Sequence, residues 1–244
     1  MNSIVKKKVL LFLVVLIVAL PLFFFLLIRR PSVSVDVEEN SPELPFDQRP
    51  FTQLIPSKDG HYLKMIVSNF NVPGAYSMDY ELYYDTAEGI TQGVPGKVKL
   101  NGLEKIEREL LLGSESSGKF RYDQGVDDGT LTLRFRDNNG KLIGKISGQW
   151  SLSKGGLKLS SLDGRFTYTL ENKSDNFFVV MPTFGIPESF PAQISTGPYG
   201  VFASTPGPYK GDVSLGENVY AWYGNRWEKL SGSSEDVGVF VTAK

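Results

Sequence analysis

The stretch "LTLRFRDNNGKLIGKISGQW", residues 131–150, decides the fold class of this chain. Apolar and polar side chains alternate on both sides of "DNNG", and this period of two is typical of a half-buried β-strand. Asn139-Gly140 is a dipeptide favoured in two-residue type I′ hairpin turns, and such a turn sets Asn138 opposite Lys141. The stretch therefore predicts an antiparallel hairpin.

The same turn predicts the register of the two strands. Three apolar side chains of the first strand then face residues of the second: Phe135 opposite Gly144, Leu133 opposite Ile146, and Leu131 opposite Gly148. We expect these large side chains to cover the strand glycines. The apolar face continues through Leu142, Ile146, Trp150 and Leu152, and the opposite face carries Arg134, Arg136 and Lys145.

Short alternating runs of the same kind fill the chain from residue 57 onward, separated by Gly, Asn, Asp and Pro. They include "HYLKMIVSNF", "MDYELYYD", "KVKLNG", "KFRYD", "GRFTYTLE", "FFVVM" and "DVGVFVTA". The run "LEKIERELLLG" fits a helix or a strand, and its short length and strand neighbours favour a strand. A second hairpin, closed by Gly224-Asn225, sets Trp222 opposite Trp227 and Tyr220 opposite Lys229.

These runs predict an all-β chain of two tandem modules. Residues 57–153 hold about seven strands, which resembles an immunoglobulin-like or fibronectin-III-like antiparallel β-sandwich in strand number and size. Residues 154–244 form a second β-rich module. Residues 31–56 contain five of the 14 prolines and five acids, a composition that favours an extended stalk.

A transmembrane helix is expected before the stalk, within residues 1–30. Val9 to Ile28 is a run of twenty residues without a charged side chain, and as a helix it spans about 30 Å, the thickness of the bilayer hydrocarbon core. No small-residue cleavage site follows it, so we interpret it as an uncleaved single-pass signal anchor. Three basic residues, Lys6, Lys7 and Lys8, precede this run, and two, Arg29 and Arg30, follow it. The basic start directly before the apolar run favours a cytoplasmic N-terminus and an extracytoplasmic β region at the cell membrane.

Composition excludes several classes of site. The chain contains no Cys and one His, His61, so disulfides, thiolate metal sites and multi-His zinc sites within one chain are excluded. Residues 31–244 hold 21 of the 26 basic residues and all 27 acids, a net charge of −6, which gives no reason to expect nucleic-acid binding.

One segment, "GSESSGKF" at residues 113–120, spells most of a phosphate-binding loop. Phe120 stands where that loop needs Ser or Thr for Mg²⁺, and "FRYDQG" after Lys119 is not a helix pattern. We therefore predict a polar loop between strands, with no nucleotide and no cofactor.

The loop "YDQGVDDG" contains three carboxylates, Asp123, Asp127 and Asp128, which form a weak candidate Ca²⁺ site. Their spacing matches no EF-hand. A solvated turn is the alternative interpretation.

Aromatic residues are dense in the second module, where residues 199–227 hold seven of the chain's 30 aromatics. The hairpin sets aromatic side chains on both of its faces, so one face either packs on another part of the protein or forms a platform for a sugar ring or a peptide. The candidate ligand-binding residues are Tyr199, Tyr209, Tyr220, Trp222 and Trp227.

The sequence therefore favours a membrane-anchored, non-enzymatic protein with a binding, adhesion or envelope-structural role, with a protein or carbohydrate partner at the cell surface. Two alternatives remain open. One is a surface hydrolase that uses loop carboxylates such as Asp127 or Asp128. The other is an accessory subunit of a membrane complex.

Overall fold

The structure, a computed structural model, describes residues 43–244. This range contains β-strands and one 3₁₀ turn, Phe46–Gln48, and no α-helix, so the all-β prediction is confirmed. The predicted anchor Val9–Ile28 and the stalk up to residue 42 lie outside the described residues. Within 43–244, no helix has the length and apolarity that a membrane span requires.

Seventeen strands follow one another along the described chain. The first nine are β1 (Phe51–Pro56), β2 (Tyr62–Ser68), β3 (Ser77–Asp85), β4 (Thr91–Lys99), β5 (Lys105–Leu111), β6 (Gly113–Ser116), β7 (Lys119–Tyr122), β8 (Asp128–Arg136) and β9 (Leu142–Lys154). The other eight are β10 (Lys158–Ser160), β11 (Thr167–Leu170), β12 (Phe177–Pro182), β13 (Ile194–Ala203), β14 (Gly211–Ser214), β15 (Val219–Trp222), β16 (Trp227–Lys229) and β17 (Val239–Ala243). The ambiguous run after Leu103 is strand β5, as predicted.

Nine of these strands form the main sheet, in the spatial order β16-β15-β17-β13-β12-β9-β8-β3-β4. Two three-stranded sheets have the orders β1-β2-β5 and β10-β11-β14, and β6 pairs with β7 alone. All of these strand pairings are antiparallel.

The two faces of the main sheet contribute to two separate cores. One face packs its apolar side chains with those of β1, β2 and β5, and Trp150 and Phe135 lie in this first core. The other face, at β12, β13, β17 and β15, packs with β10, β11 and β14 around Phe166 and Tyr168. Period-two alternation along each strand explains why neighbouring residues enter different cores. This layering is sandwich-like.

The register predicted for the first hairpin is confirmed, because Phe135 lies opposite Gly144 and Leu133 opposite Ile146. The prediction of a two-residue turn at Asn139-Gly140 is wrong. The amide of Asp137 donates to the carbonyl of Lys141 (3.0 Å), so residues 138–140 form a three-residue loop.

The Asp137 side chain explains the longer loop. Its Oδ1 accepts hydrogen bonds from the amides of Asn139 and Lys141, both at 2.9 Å, as Asp does in many turns. A register shift beyond Phe135 then restores the predicted pairing.

Gly144 and Gly148 are covered, but by segments other than the facing strand β8. A Cβ on Gly144 would collide with the side chain of Leu44, and one on Gly148 would come within 2.7 Å of Phe184. Leu44 enters the fold just before β1, and Phe184 follows β12. The prediction that Phe135 and Leu131 cover these glycines is therefore corrected.

The main sheet contains strands from both predicted modules. The predicted boundary at residue 153 falls within β9 (Leu142–Lys154), which pairs with β8 before that boundary and with β12 near it. The division into two modules stays a prediction.

Candidate binding groove

An open groove of about 380 Å³ lies between strand β1 and the main sheet at β13, β15 and β17. Strand β1 is an edge strand of its three-stranded sheet and packs on β12 and β13. The main sheet continues beyond it, through β17 to β15. This difference in width leaves room for the groove next to β1, and the aromatic side chains that line it are mostly buried: Phe51, Phe202 and Trp222 are each 8% exposed.

Four aromatic residues line the groove: Phe51, Phe202, Trp222 and Tyr223. Strand pairing sets Trp222 opposite Val239, and Val239 opposite Gly200, so these residues share one face of the main sheet with Phe202. Gly200 lacks a side chain that would collide with the Phe202 ring. Phe51 reaches the groove from β1.

Among the described residues that line the groove, Asp236 alone is charged. Its Oδ1 accepts hydrogen bonds from the amides of Tyr209 (2.9 Å) and Val237 (2.8 Å), which fix the loop before β17. Gln53 on β1 adds a second polar side chain. The groove lining is therefore mainly aromatic and apolar, and the Asp236 carboxylate lies against the loop at Gly207 and Tyr209.

Three of the five predicted binding residues lie together at this edge of the main sheet. Trp222 contacts Trp227, with ring centroids 5.5 Å apart, and the ring of Phe190 lies edge-on to both Tyr220 and Trp227 at 5.1 Å. The register of this hairpin is the predicted one. Phe190 is not among the five predicted residues, because it lies in an irregular Pro-rich segment without strand periodicity.

The other two predicted residues, Tyr199 and Tyr209, belong to the second core on the opposite face. The Tyr199 hydroxyl donates to Asp163 (2.5 Å), and burial together with this carboxylate raises the pKa of Tyr199. Tyr209 lies edge-on to Phe178 at 5.1 Å. Whether any of the five binds a ligand stays a prediction.

Both faces of the β15–β16 hairpin are packed. Trp222 and Trp227 contact the first core, while Ala221 and Tyr223 contact the second. Most of the aromatic side chains in this region are therefore packed within the protein. The groove beside Trp222 is the open surface next to them.

The three loop carboxylates do not come together. Asp123 accepts a hydrogen bond from the Tyr84 hydroxyl (3.0 Å), and burial and this carboxylate raise the pKa of Tyr84. Asp127 and Asp128 are exposed. Within the described range, no group of three or more side chains is placed to hold a metal ion.

The segment 113–120 is a β-hairpin arm. Its strands β6 and β7 are joined at Ser117 and Gly118, both with positive φ (51° and 76°), which is the turn geometry that Gly favours. Lys119 begins strand β7, where a phosphate-binding loop would begin a helix. His61 stacks on Tyr122 of this arm, with ring centroids 3.8 Å apart.

Comparison with models of protein families, with curated proteins and with solved structures gave no match to this chain. The groove must therefore be interpreted from its own chemistry.

Proposed function

We propose that this chain is a membrane-anchored, extracytoplasmic β protein with a non-catalytic binding role, and that it takes its partner in the groove beside Trp222. The observation that carries the proposal is the groove itself. Its volume of about 380 Å³ lies within the range of ligand pockets, and aromatic residues with two polar residues line it.

The location rests on the sequence. The apolar run Val9–Ile28 is long enough to cross a bilayer, and the basic residues before it favour a cytoplasmic N-terminus. In this proposal a single-pass anchor and a stalk display the β region, arranged as two immunoglobulin-like or fibronectin-III-like modules, at the cell surface. Adhesion, envelope structure and partner presentation are roles that fit such a protein.

The two alternatives differ in what they require of the molecule. A hydrolase needs carboxylates that converge in a pocket, and the exposed Asp127 and Asp128 do not favour it. An accessory subunit of a membrane complex would bind its partners through the apolar helix. The groove does not contribute to binding in that case.

Protease treatment of intact cells tests the location. We expect a protease added outside to remove the β region from whole cells, because the proposed orientation exposes it. An immunoblot against a cytoplasmic N-terminal tag should then show a shortened fragment. Full-length protein on whole cells, with cleavage only after lysis, contradicts the proposed orientation.

Replacing Trp222 with Leu tests the binding role. Leu keeps an apolar side chain in the first core but fills less space than Trp, so the free energy of unfolding should fall, by less than the about 3–5 kcal/mol expected for Ala. The groove loses the broad ring of an aromatic anchor, and such residues carry much of the binding energy at interfaces. Native gels of membranes extracted in mild detergent should show at least about tenfold less partner-bound protein.

Tyr76→Ala is the matched control, because Tyr76 is a 40% exposed aromatic residue that does not line the groove. It should leave the partner-bound fraction unchanged. A Trp222→Leu protein that is destabilised but keeps its bound fraction would assign Trp222 a packing role only. Loss of the complex on replacing the apolar helix, with no effect of Trp222→Leu, would favour the accessory-subunit alternative.

A further inference from the structure

A pocket of about 290 Å³ opens on the face of the main sheet that is opposite to the groove. It forms where β12 leaves β9, because the pairing of β12 with β9 ends at Val180. Pro182, the last residue of β12, has no N–H with which to continue the ladder. The next amide, that of Thr183, donates instead to the carbonyl of Pro198 (3.1 Å). Gln149 of β9 therefore lies exposed in the pocket.

Two side chains on the floor of the pocket offer hydrogen-bonding groups. Thr130 of β8 lies opposite Gln149 of β9, so both side chains point to the same face of the sheet. Within the described residues, neither side chain forms a hydrogen bond or an ion pair. The amide of Gln149 can donate and accept, and so can the hydroxyl of Thr130. Both groups are therefore available to a ligand.

Asp163 supplies the acidic group of the pocket, from the turn after β10. Its carboxylate accepts hydrogen bonds from the hydroxyl of Ser161 (2.6 Å), the amide of Arg165 (3.1 Å) and the hydroxyl of Tyr199. These bonds fix the orientation of the carboxylate. A carboxylate has about four acceptor positions, and Asp163 is exposed, so it can accept a further bond from a ligand.

The charge and the apolar parts of the pocket limit the class of ligand. Among the described residues that line it, Asp163 alone is charged, so a phosphate or carboxylate on the ligand would be repelled. Leu162, which is 44% exposed, and Pro182 add apolar surface beside the polar groups. Hydroxyls that donate and accept, on a ring that also presents C–H groups, fit such a lining. A neutral sugar has this combination.

An exposed aromatic residue continues the same row of the sheet. Tyr83 of β3 lies opposite Thr130 of β8, and its side chain is 43% exposed. Its ring lies over Gly93 of β4, where a Cβ would come within 2.8 Å of it. Since neighbouring strands are about 4.8 Å apart, Tyr83 lies about 10 Å from Gln149 along the row. A ligand longer than one sugar ring would reach both residues.

We infer that this pocket, together with Tyr83, binds a neutral oligosaccharide. One sugar unit bonds through its hydroxyls to Thr130, Gln149 and Asp163, and another packs on the ring of Tyr83. The pocket and the groove beside Trp222 lie on opposite faces of the main sheet. The inference therefore goes beyond the proposed function and does not depend on it.

A microarray of neutral and acidic oligosaccharides, probed with the full-length protein in nanodiscs, tests the inference. Empty nanodiscs control for binding by lipid. We expect at least one neutral oligosaccharide to bind, and isothermal titration calorimetry then measures its affinity. Gln149→Ala removes the amide and should weaken this affinity about tenfold, the equivalent of one or two hydrogen bonds. Tyr83→Ala should weaken it by a similar factor, because the sugar loses its contact with the aromatic ring.

Each variant has a matched control outside the site. Gln193→Ala removes an exposed Gln from the loop before β13, and Tyr76→Ala removes a 40% exposed Tyr before β3. Both controls should leave the affinity unchanged. The Gln149→Ala and Tyr83→Ala proteins should still unfold cooperatively in urea, because both side chains are exposed. A loss of binding is then not a loss of folding.

The inference fails if no neutral oligosaccharide binds, if only acidic glycans bind, or if the affinity is insensitive to Gln149→Ala or to Tyr83→Ala. A glycan whose binding is lost in the Trp222→Leu protein and kept in the Gln149→Ala protein would lie in the groove. That result overturns this inference and supports the proposed function. The native-gel experiment tests the proposed function separately.

Discussion

Replacing Trp150 with Ala is expected to lower the free energy of unfolding by about 3–5 kcal/mol, the range found for truncation of large buried aromatic side chains. Trp150 is fully buried (0% exposed) on β9, in the middle of the main sheet. Its ring lies against Gly129, its pairing partner on β8, where a Cβ would come within 2.6 Å of the ring. Neighbouring strands cannot close over a cavity of this size without moving the sheet.

The measurement is urea denaturation of the full-length protein in nanodiscs, followed by circular dichroism. Trp150→Phe is the matched variant. No described group accepts a hydrogen bond from the Trp150 Nε1, so Phe fills much of the space and removes an unpaired buried donor. Its loss of stability should be clearly smaller than that of Ala.

Leu162→Ala, at a 44% exposed position, should change the unfolding free energy by no more than about 0.5 kcal/mol. A Trp150→Ala protein that unfolds within about 1 kcal/mol of the wild type would contradict the central position of β9 in the first core.

The parts of the fold that the sequence predicts well are local. Alternation around "DNNG" and the turn dipeptide place Phe135 opposite Gly144, and the structure agrees. The turn itself differs because the Asp137 side chain competes with the Asn139-Gly140 preference by bonding two nearby amides. Such competition depends on side-chain geometry, which periodicity does not describe.

The pairing of distant strands is less accessible to sequence reasoning. Alternation shows that Ala221 and Trp222 point to opposite faces, but it does not show that each face meets a different core. Nor does it show that β9 joins both halves of the chain into one sheet. These features follow from non-local pairing, for which a single sequence carries no local signal.

The candidate groove also depends on non-local strand pairing that a single sequence does not reveal. Its lining comes from residues near positions 51, 202, 222 and 236, which strand pairing alone brings together. Aromatic density along the chain identified Trp222, but it also selected Tyr199, which lies on the other face and donates a hydrogen bond to Asp163. No sequence pattern identified Asp236, because its hydrogen bonds to the amides of Tyr209 and Val237 depend on how the loop folds.

If the groove beside Trp222 holds a partner on living cells, a photo-crosslinker placed in the groove should capture that partner. The crosslinker is an ultraviolet-activated benzophenone amino acid in place of Gln53, a half-buried residue of the groove. The matched control carries the same amino acid in place of Lys158, an exposed residue of β10 in the other small sheet.

We expect a discrete crosslinked adduct from position 53 in intact cells, none from position 158, and at least about tenfold less adduct from position 53 when Trp222 is Leu. No adduct from position 53, or equal adducts from both positions that persist in the Trp222→Leu protein, would contradict the claim that this groove is a binding site.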